Sequence, residues 1–297
     1  MWAAIILGGA GIALALALSC SPLKTFDALV PKDGGSIRVA SDIAYGAGDR
    51  RQLDIYAPIA RPASPVPVPV PAPAPMPVIV FFYGGSWSGG TRQGYAFVGR
   101  ALAAQGFLVV IPDYRLVPEI RYPAFVEDGA AAVKWVEGHA GAYGGDRARI
   151  IVAGHSAGAY IAAMLALDDR WLGPARAAVR GFVGLAGPYD FLPFDVAASK
   201  AAFGQWPDPE ETQPIHWAGA GDPPALLLAG AADETVRPRN SAALADRLRA
   251  AHVPVEMKLY AGLGHVGIAT ALARPFRGKA PVLADIVHFA RQVTSGR

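Results

Sequence analysis

A chain of 297 residues with 53% hydrophobic and 17% charged side chains has enough apolar surface for a large core, which excludes an intrinsically disordered protein. Its net charge is +3, and the basic residues are scattered without a Lys/Arg block, so no nucleic-acid partner is expected. The one cysteine, Cys20, excludes an intrachain disulfide.

Residues 2–18 contain no charge and are rich in Ala, Leu and Ile; Leu18-Ser19-Cys20-Ser21-Pro22 follows. This is the pattern of an export signal, and Cys20 is the candidate lipidation residue after a cut behind Ser19. Ala17 departs from the Leu usual at such sites, and no Lys or Arg precedes the apolar run. The alternatives are an ordinary cleaved signal and an uncleaved anchor helix, for which the run is slightly short. All three readings put the folded domain outside the cytoplasm, as a periplasmic protein or a membrane-anchored lipoprotein. Residues 1–20 are therefore read as a signal, 21–35 as an N-terminal tether and 36–297 as the folded domain.

From Ser36 to Tyr56 the pattern predicts two antiparallel strands, and Arg51 to Tyr56 alternates like a half-exposed strand. Residues 58–77 carry Pro at nearly every second position from Pro65 onward. That stretch is read as an extended polyproline surface loop, either a spacer or a dock for a proline-binding partner. Val78 to Phe82 is a continuous apolar run, as in a strand buried on both faces. A helix over 93–105, a strand over 107–111, a helix over 123–138 and a strand over 150–153 follow. Then come a strand over 181–186, an irregular insert over 188–222 and a strand over 225–229. A helix over 240–251, an edge strand over 255–260 and a helix over 282–293 complete the chain. This alternation predicts an α/β domain with a mostly parallel sheet and helices on both faces.

Gly154-His155-Ser156-Ala157-Gly158 lies between the strand at 150–153 and the helix-forming run Tyr160 to Leu165. A serine in so tight a strand-to-helix turn projects its hydroxyl from the sheet edge, so Ser156 is the candidate nucleophile; the bland alternative is a helix cap. A serine hydroxyl needs a base, and the base an orienting acid. His265 and Asp233 each follow a predicted strand, at the edge where ligand crevices form. Glu234 rivals Asp233. His139 and His252 fall near helix ends, His216 in the insert and His288 in the last helix, while His155 is expected to point away from Ser156. Phe82-Tyr83-Gly84-Gly85-Ser86-Trp87 follows an apolar strand, and its glycines let backbone amides approach a ligand. Gly85, Ser86 and Ala157 are the candidate oxyanion donors, with Tyr83, Gly84 and Trp87 in support. No cluster has metal-ligand spacing and no phosphate loop is present, so no metal and no organic cofactor is expected; Gly8-Gly9-Ala10-Gly11 belongs to the signal.

Together these residues resemble the α/β-hydrolase superfamily, most closely the bacterial carboxylesterases of the hormone-sensitive-lipase-like group. Kynurenine formamidases and small feruloyl or acetylxylan-type esterases are similar too. The resemblance runs from about residue 50 to the C-terminus. It is carried by Tyr83 to Trp87, Asp113-Tyr114-Arg115-Leu116 with Pro118-Glu119, Tyr122-Pro123-Ala124 with Glu127-Asp128, Gly144-Gly145-Asp146 ahead of Arg149, Gly154 to Gly158, Asp233 and His265. It implies an α/β-hydrolase fold with an eight-stranded sheet and a small cap insert, and the order nucleophile, acid, histidine. It favours Asp233 over Glu234, because the family pattern puts the acid three residues before a valine, here Val236. Tyr83 stands where many relatives have His, and Ser86 where they have a third Gly. The short insert implies no large lid; its Phe191, Phe194, Phe203, Trp206 and Trp217 either line an acyl or aryl pocket or form the core of the cap. The expected activity is cleavage of short-chain acyl or aryl esters, small-molecule substrates, through an acyl-enzyme. An amidase, arylformamidase or acyltransferase would use the same triad, and a non-catalytic cell-surface binding module is the reading from a different class.

Overall fold

Eight strands make one sheet in the computed structural model, which describes residues 22–59 and 74–295. The signal and Cys20 readings, and most of the Pro-rich loop, fall outside the described residues. In chain order the larger elements are α1 (Pro22–Leu29), β1 (Ser36–Ala44), β2 (Gln52–Pro58), β3 (Met76–Phe82), α2 (Ala96–Ala103), β4 (Leu108–Pro112), α3 (Ala124–His139), β5 (Gly145–His155), α4 (Ala157–Leu167), α5 (Asp169–Leu172) and β6 (Val179–Leu185). After them come α6 (Ala197–Phe203), α7 (Pro214–Trp217), β7 (Ala225–Gly230), α8 (Arg239–Ala250), β8 (Val255–Tyr260), α9 (His265–Thr270) and α10 (Val282–Thr294). The strand order is β1-β2-β4-β3-β5-β6-β7-β8. β1 and β2 run antiparallel to their neighbours, and β4 through β8 with β3 form a parallel block.

The register decides which helix covers which face. Tyr56, Val109, Ile79, Ile151 and Gly181 are successive cross-strand partners, so they share one face. Tyr56 lies against Gly99 of α2 and Gly181 against Phe289 of α10, which places both helices on that face. Phe82 has the opposite parity in β3 and lies against Gly129 of α3, on the other face. Strands covered on both sides must be apolar throughout, and Val78 to Phe82 and Leu226 to Leu228 are fully buried. Because β3, β5, β7 and β8 are parallel, the loops after them emerge at one edge of the sheet.

Two expectations from sequence differ from the structure. Residues 21–35, read as a tether, contain helix α1, and that helix docks on the domain. Leu23, Phe26 and Val30 recur at helical spacing and give it an apolar face. Phe26 meets Phe97 edge-on at 5.2 Å and Phe276 at 5.7 Å, and the Asp27 carboxylate accepts the Phe97 N–H at 2.7 Å. Arg277 then clamps Asp33 through two bonds of 2.9 and 2.6 Å.

The second difference is β2, whose alternating pattern predicts a half-exposed strand. Leu53 to Tyr56 are instead all buried, Asp54 included. Asp54 tolerates burial because the Arg92 guanidinium donates to it at 2.8 Å and Arg38 at 3.1 Å. Arg92 also pairs with Asp113 and Asp42, so one buried cation sits among three carboxylates. Removing that cation leaves Asp54 and Asp113 buried without their main partner. Arg92→Met is therefore expected to destabilise the fold by about 3–5 kcal/mol, read as a lower urea midpoint at unchanged m-value.

Candidate active site

β5 ends at His155, and α4 begins at Ala157. Ser156 between them has φ 55° and ψ −123°, a conformation that strains any residue with a Cβ by about 1–3 kcal/mol. The two glycines of the motif make that turn sterically feasible. A Cβ on Gly154 would fall 2.3 Å from the Gly158 carbonyl oxygen, and one on Gly158 would fall 2.1 Å from the Phe82 carbonyl oxygen. In both cases the obstacle is backbone, which cannot swing aside. Gly158→Ala is expected to destabilise the protein by at least about 1–3 kcal/mol, the usual consequence of overpacking, visible in thermal or urea unfolding.

The structure brings Ser156, His265 and Asp233 together across the loops after β5, β8 and β7. The His265 Nε2 lies 2.8 Å from the Ser156 hydroxyl, and its Nδ1 lies 2.8 Å from Asp233 Oδ2. The other Asp233 oxygen accepts the backbone N–H groups of Thr235 and Val236, each at 2.9 Å. Burial pushes the Asp233 carboxyl up, but the His265 ring and the two amides outweigh it, so its pKa lies below the ordinary carboxylate value. An ionised, tethered carboxylate orients the imidazole and favours its Nδ1–H tautomer. Glu234 is exposed, and no hydrogen bond joins it to His265 among the described residues.

The loop after β3 turns through Gly85 at φ 143°, Ser86 at φ 52° and Trp87 at φ 59°. The Gly85 carbonyl accepts the N–H groups of Ser88 and Gly89, at 3.0 and 2.9 Å, which closes the turn. Gly85, Ser86 and Ala157 border the crevice around Ser156. Their N–H groups have no protein acceptor among the described residues, as suits donors facing a ligand. Gly84 differs, since its N–H is given to the Tyr95 hydroxyl at 3.2 Å. Tyr83 turns away from the crevice. Its ring stacks on Tyr114 at 4.7 Å and its hydroxyl accepts from Arg50 at 2.7 Å, so its support is to the loop's base. Trp87 packs among Phe125, Tyr160, Phe191 and Phe203 under the insert.

The rival histidines lie elsewhere, with one exception. His139 stacks on Trp135 at 4.4 Å, and His216 lies beside Trp217 in the insert. His155 does turn away from the Ser156 hydroxyl, yet it is part of the site. Its Nε2 lies 2.9 Å from the His265 carbonyl oxygen and its Nδ1 lies 2.8 Å from the Tyr95 hydroxyl. Burial, and then the neighbouring His265, push its pKa down to about 3, so the ring is neutral. Tyr95 is the residue that sequence reasoning missed entirely.

Two cavities meet at Ser156. One, of about 390 Å³, lies under the insert and is bordered by Trp87, Phe191 and Val196, with Asp195, Glu234, Arg237 and Arg239 around it. The other, of about 560 Å³, is walled by Leu23 and Phe26 of α1, Tyr95, Val266 and the glycines of the loop after β3. Among the described residues its ionisable walls are His155, His265 and Tyr95. Of the insert's aromatics, Phe191 borders a cavity, while Phe203 is fully buried. Trp206 packs on Tyr122 at 4.9 Å and Trp217 lies under Arg170 at 3.9 Å, so they fasten the insert to residues outside it.

Comparison with known proteins bears on the fold and the family. The family model described as BD-FAE matches residues 66–248, more than half of the chain. The chain is 28% identical over 276 residues to a probable isoprenylcysteine alpha-carbonyl methylesterase of Arabidopsis thaliana, covering 84% of this chain and 62% of that protein. It is 30% identical over 236 residues to esterase LipI of Mycobacterium tuberculosis, covering 71% of this chain and 73% of that one. The structure of esterase B from Lactobacillus rhamnosis is similar with a TM-score of 0.79 at 19% identity, over 96% of this chain and 95% of that one. At that identity the likeness speaks for the fold. The chain has the α/β-hydrolase fold and belongs to the BD-FAE family.

Proposed function

We propose that the chain is a serine esterase in which Ser156 attacks an ester carbonyl, His265 moves the proton and Asp233 fixes the imidazole. The observation that carries this reading is the pair of 2.8 Å contacts linking the Ser156 hydroxyl, His265 and Asp233 at one crevice. As Ser156 Oγ bonds to the carbonyl carbon, its proton passes to His265 Nε2. The carbonyl oxygen becomes an oxyanion held by the N–H groups of Gly85, Ser86 and Ala157, each worth about 3–4 kcal/mol in the transition state. His265 then gives its proton to the leaving alcohol, and an acyl-serine remains. Water, deprotonated by the same imidazole, releases the acid.

The two cavities support an amphipathic small-molecule ester as substrate. The cavity beside α1 offers an apolar wall to an acyl chain or an aryl ring. The cavity under the insert, ringed by Asp195, Glu234, Arg237 and Arg239, suits a polar half. Short and medium p-nitrophenyl esters, together with a fluorophosphonate probe and mass mapping of the labelled residue, test the reading. No turnover across the series and no label on Ser156 would overturn it.

Residues 1–20 are read as an export signal, with Cys20 lipidated in a lipoprotein. Among the described residues no helix is long and apolar enough to cross a membrane. The mass of the mature N-terminus separates a diacylated Cys20 from a plain cleavage or an intact leader.

A further inference from the structure

A single file of hydrogen bonds runs behind Ser156. The Gly84 N–H donates to the Tyr95 hydroxyl at 3.2 Å; that hydroxyl lies 2.8 Å from His155 Nδ1; and His155 Nε2 lies 2.9 Å from the His265 carbonyl oxygen. Its two ends are backbone groups with fixed roles. Gly84 N–H can only donate and the His265 carbonyl can only accept. Tyr95 has one proton, and with its oxygen already accepting from Gly84 that proton has Nδ1 as its acceptor. His155 must therefore carry its own proton on Nε2, where it meets the His265 carbonyl. One assignment of protons satisfies every member, and Tyr95 and His155 are both almost completely buried.

The ends of this file are the two loops whose relative placement the chemistry needs. Gly84 immediately precedes Gly85 and Ser86, the proposed oxyanion donors. The carbonyl at the other end belongs to His265 itself, and the two imidazole rings lie 4.9 Å apart. We propose that His155 is a positioning residue, a bridge with a fixed tautomer that holds the His265 loop and the oxyanion loop in register. The inference rests on the esterase reading and adds to it a role for the second residue of the Gly-His-Ser-Ala-Gly turn. A merely structural histidine would satisfy buried polar groups and affect stability alone. A bridge sets the distance from His265 Nε2 to Ser156 and to the site of the oxyanion, so its loss appears in turnover by the folded enzyme.

The variants separate the two ends of the ring. His155→Leu removes both bonds, and His155→Gln retains a donor near the Nε2 position. Tyr95→Phe removes the acceptor of Gly84 and the donor to Nδ1. On a p-nitrophenyl ester, His155→Leu is expected to lower kcat by about 10–100-fold with KM within about twofold, as outer-layer partners of active groups commonly do. His155→Gln should recover most of that loss. Tyr95→Phe should lower kcat by about tenfold, and the double variant Tyr95→Phe/His155→Leu should be no slower than His155→Leu, because both act through one file. In ¹⁵N-histidine spectra of the wild type, the His155 signal should show a bare Nδ1 and a protonated Nε2. Unchanged kcat in folded His155→Leu, or losses that simply multiply in the double variant, overturn the bridge. Should His155→Leu not fold, Tyr95→Phe with wild-type kcat overturns it equally. These outcomes are distinct from failure of the esterase reading, which would show as a wild-type enzyme with neither turnover nor a labelled Ser156.

Discussion

Ser156→Ala is expected to lower kcat for a p-nitrophenyl ester by about 10⁶-fold, to the level left by binding and oxyanion stabilisation alone. The Oγ atom is the group hydrogen-bonded to His265 Nε2, and the variant leaves the base without a nucleophile to deprotonate. Alanine lacks only that oxygen, so the turn between Gly154 and Gly158 keeps its shape and thermal unfolding should move by only a few degrees. Fluorophosphonate labelling should disappear with turnover. Asp233→Asn should be milder, about 10⁴-fold. It keeps the shape of the acid but presents an amide where His265 needs a carboxylate acceptor, and the imidazole loses its favoured tautomer. The order of the two losses is itself informative. A Ser156→Ala variant that retains ordinary turnover, or a probe that labels another residue, would remove the nucleophile assignment and with it the proposed mechanism.

Legibility in the sequence follows the range over which each cause acts. Ser156 stands out because strand, tight turn and helix are contiguous, and their patterns are local. Asp233 and His265 could be placed because each follows a strand of a parallel block, and topology delivers all such loops to one edge. Asp54 breaks the rule that polar residues of an alternating strand are exposed, because the cation that makes its burial tolerable, Arg92, is supplied 38 residues later. The docking of α1 was hidden for a related reason. Its apolar positions Leu23, Phe26 and Val30 make a weak signal over eight residues, and the partners Phe97 and Phe276 lie far along the chain. For His155 the local sequence indicates only the direction of the side chain. It points away from the nucleophile as expected, but its importance comes from Tyr95 and from the backbone of His265, 60 and 110 residues distant.

The acid limb of the stability curve should carry the signature of His155. Its pKa in the folded protein is about 3, against an ordinary value of 6.5. Below pH 6.5 the unfolded chain therefore takes up a proton at this residue while the native protein does not. Unfolding then binds a proton, and stability falls as the pH falls. The contribution is complete above pH 6.5 and is lost by about 1.4 kcal/mol per pH unit below it, a total loss on the order of 4 kcal/mol by pH 3. Asp233 acts in a lower window. Its folded pKa is depressed, so its contribution is complete above the ordinary carboxylate value and is lost as the pH drops below that. Between pH 6.5 and 4.5 the two groups separate, and urea unfolding in that range should be steeper in pH for the wild type than for His155→Gln. The comparison of slopes is insensitive to any constant loss of stability from the substitution itself. Parallel slopes would mean that His155 titrates in the native protein, which a ring packed between Tyr95 and His265 with both nitrogens bonded should resist. A proton on Nδ1 would turn that atom from the acceptor of the Tyr95 hydroxyl into a second donor, so acid strikes the hydrogen-bond file before it strikes the triad's carboxylate.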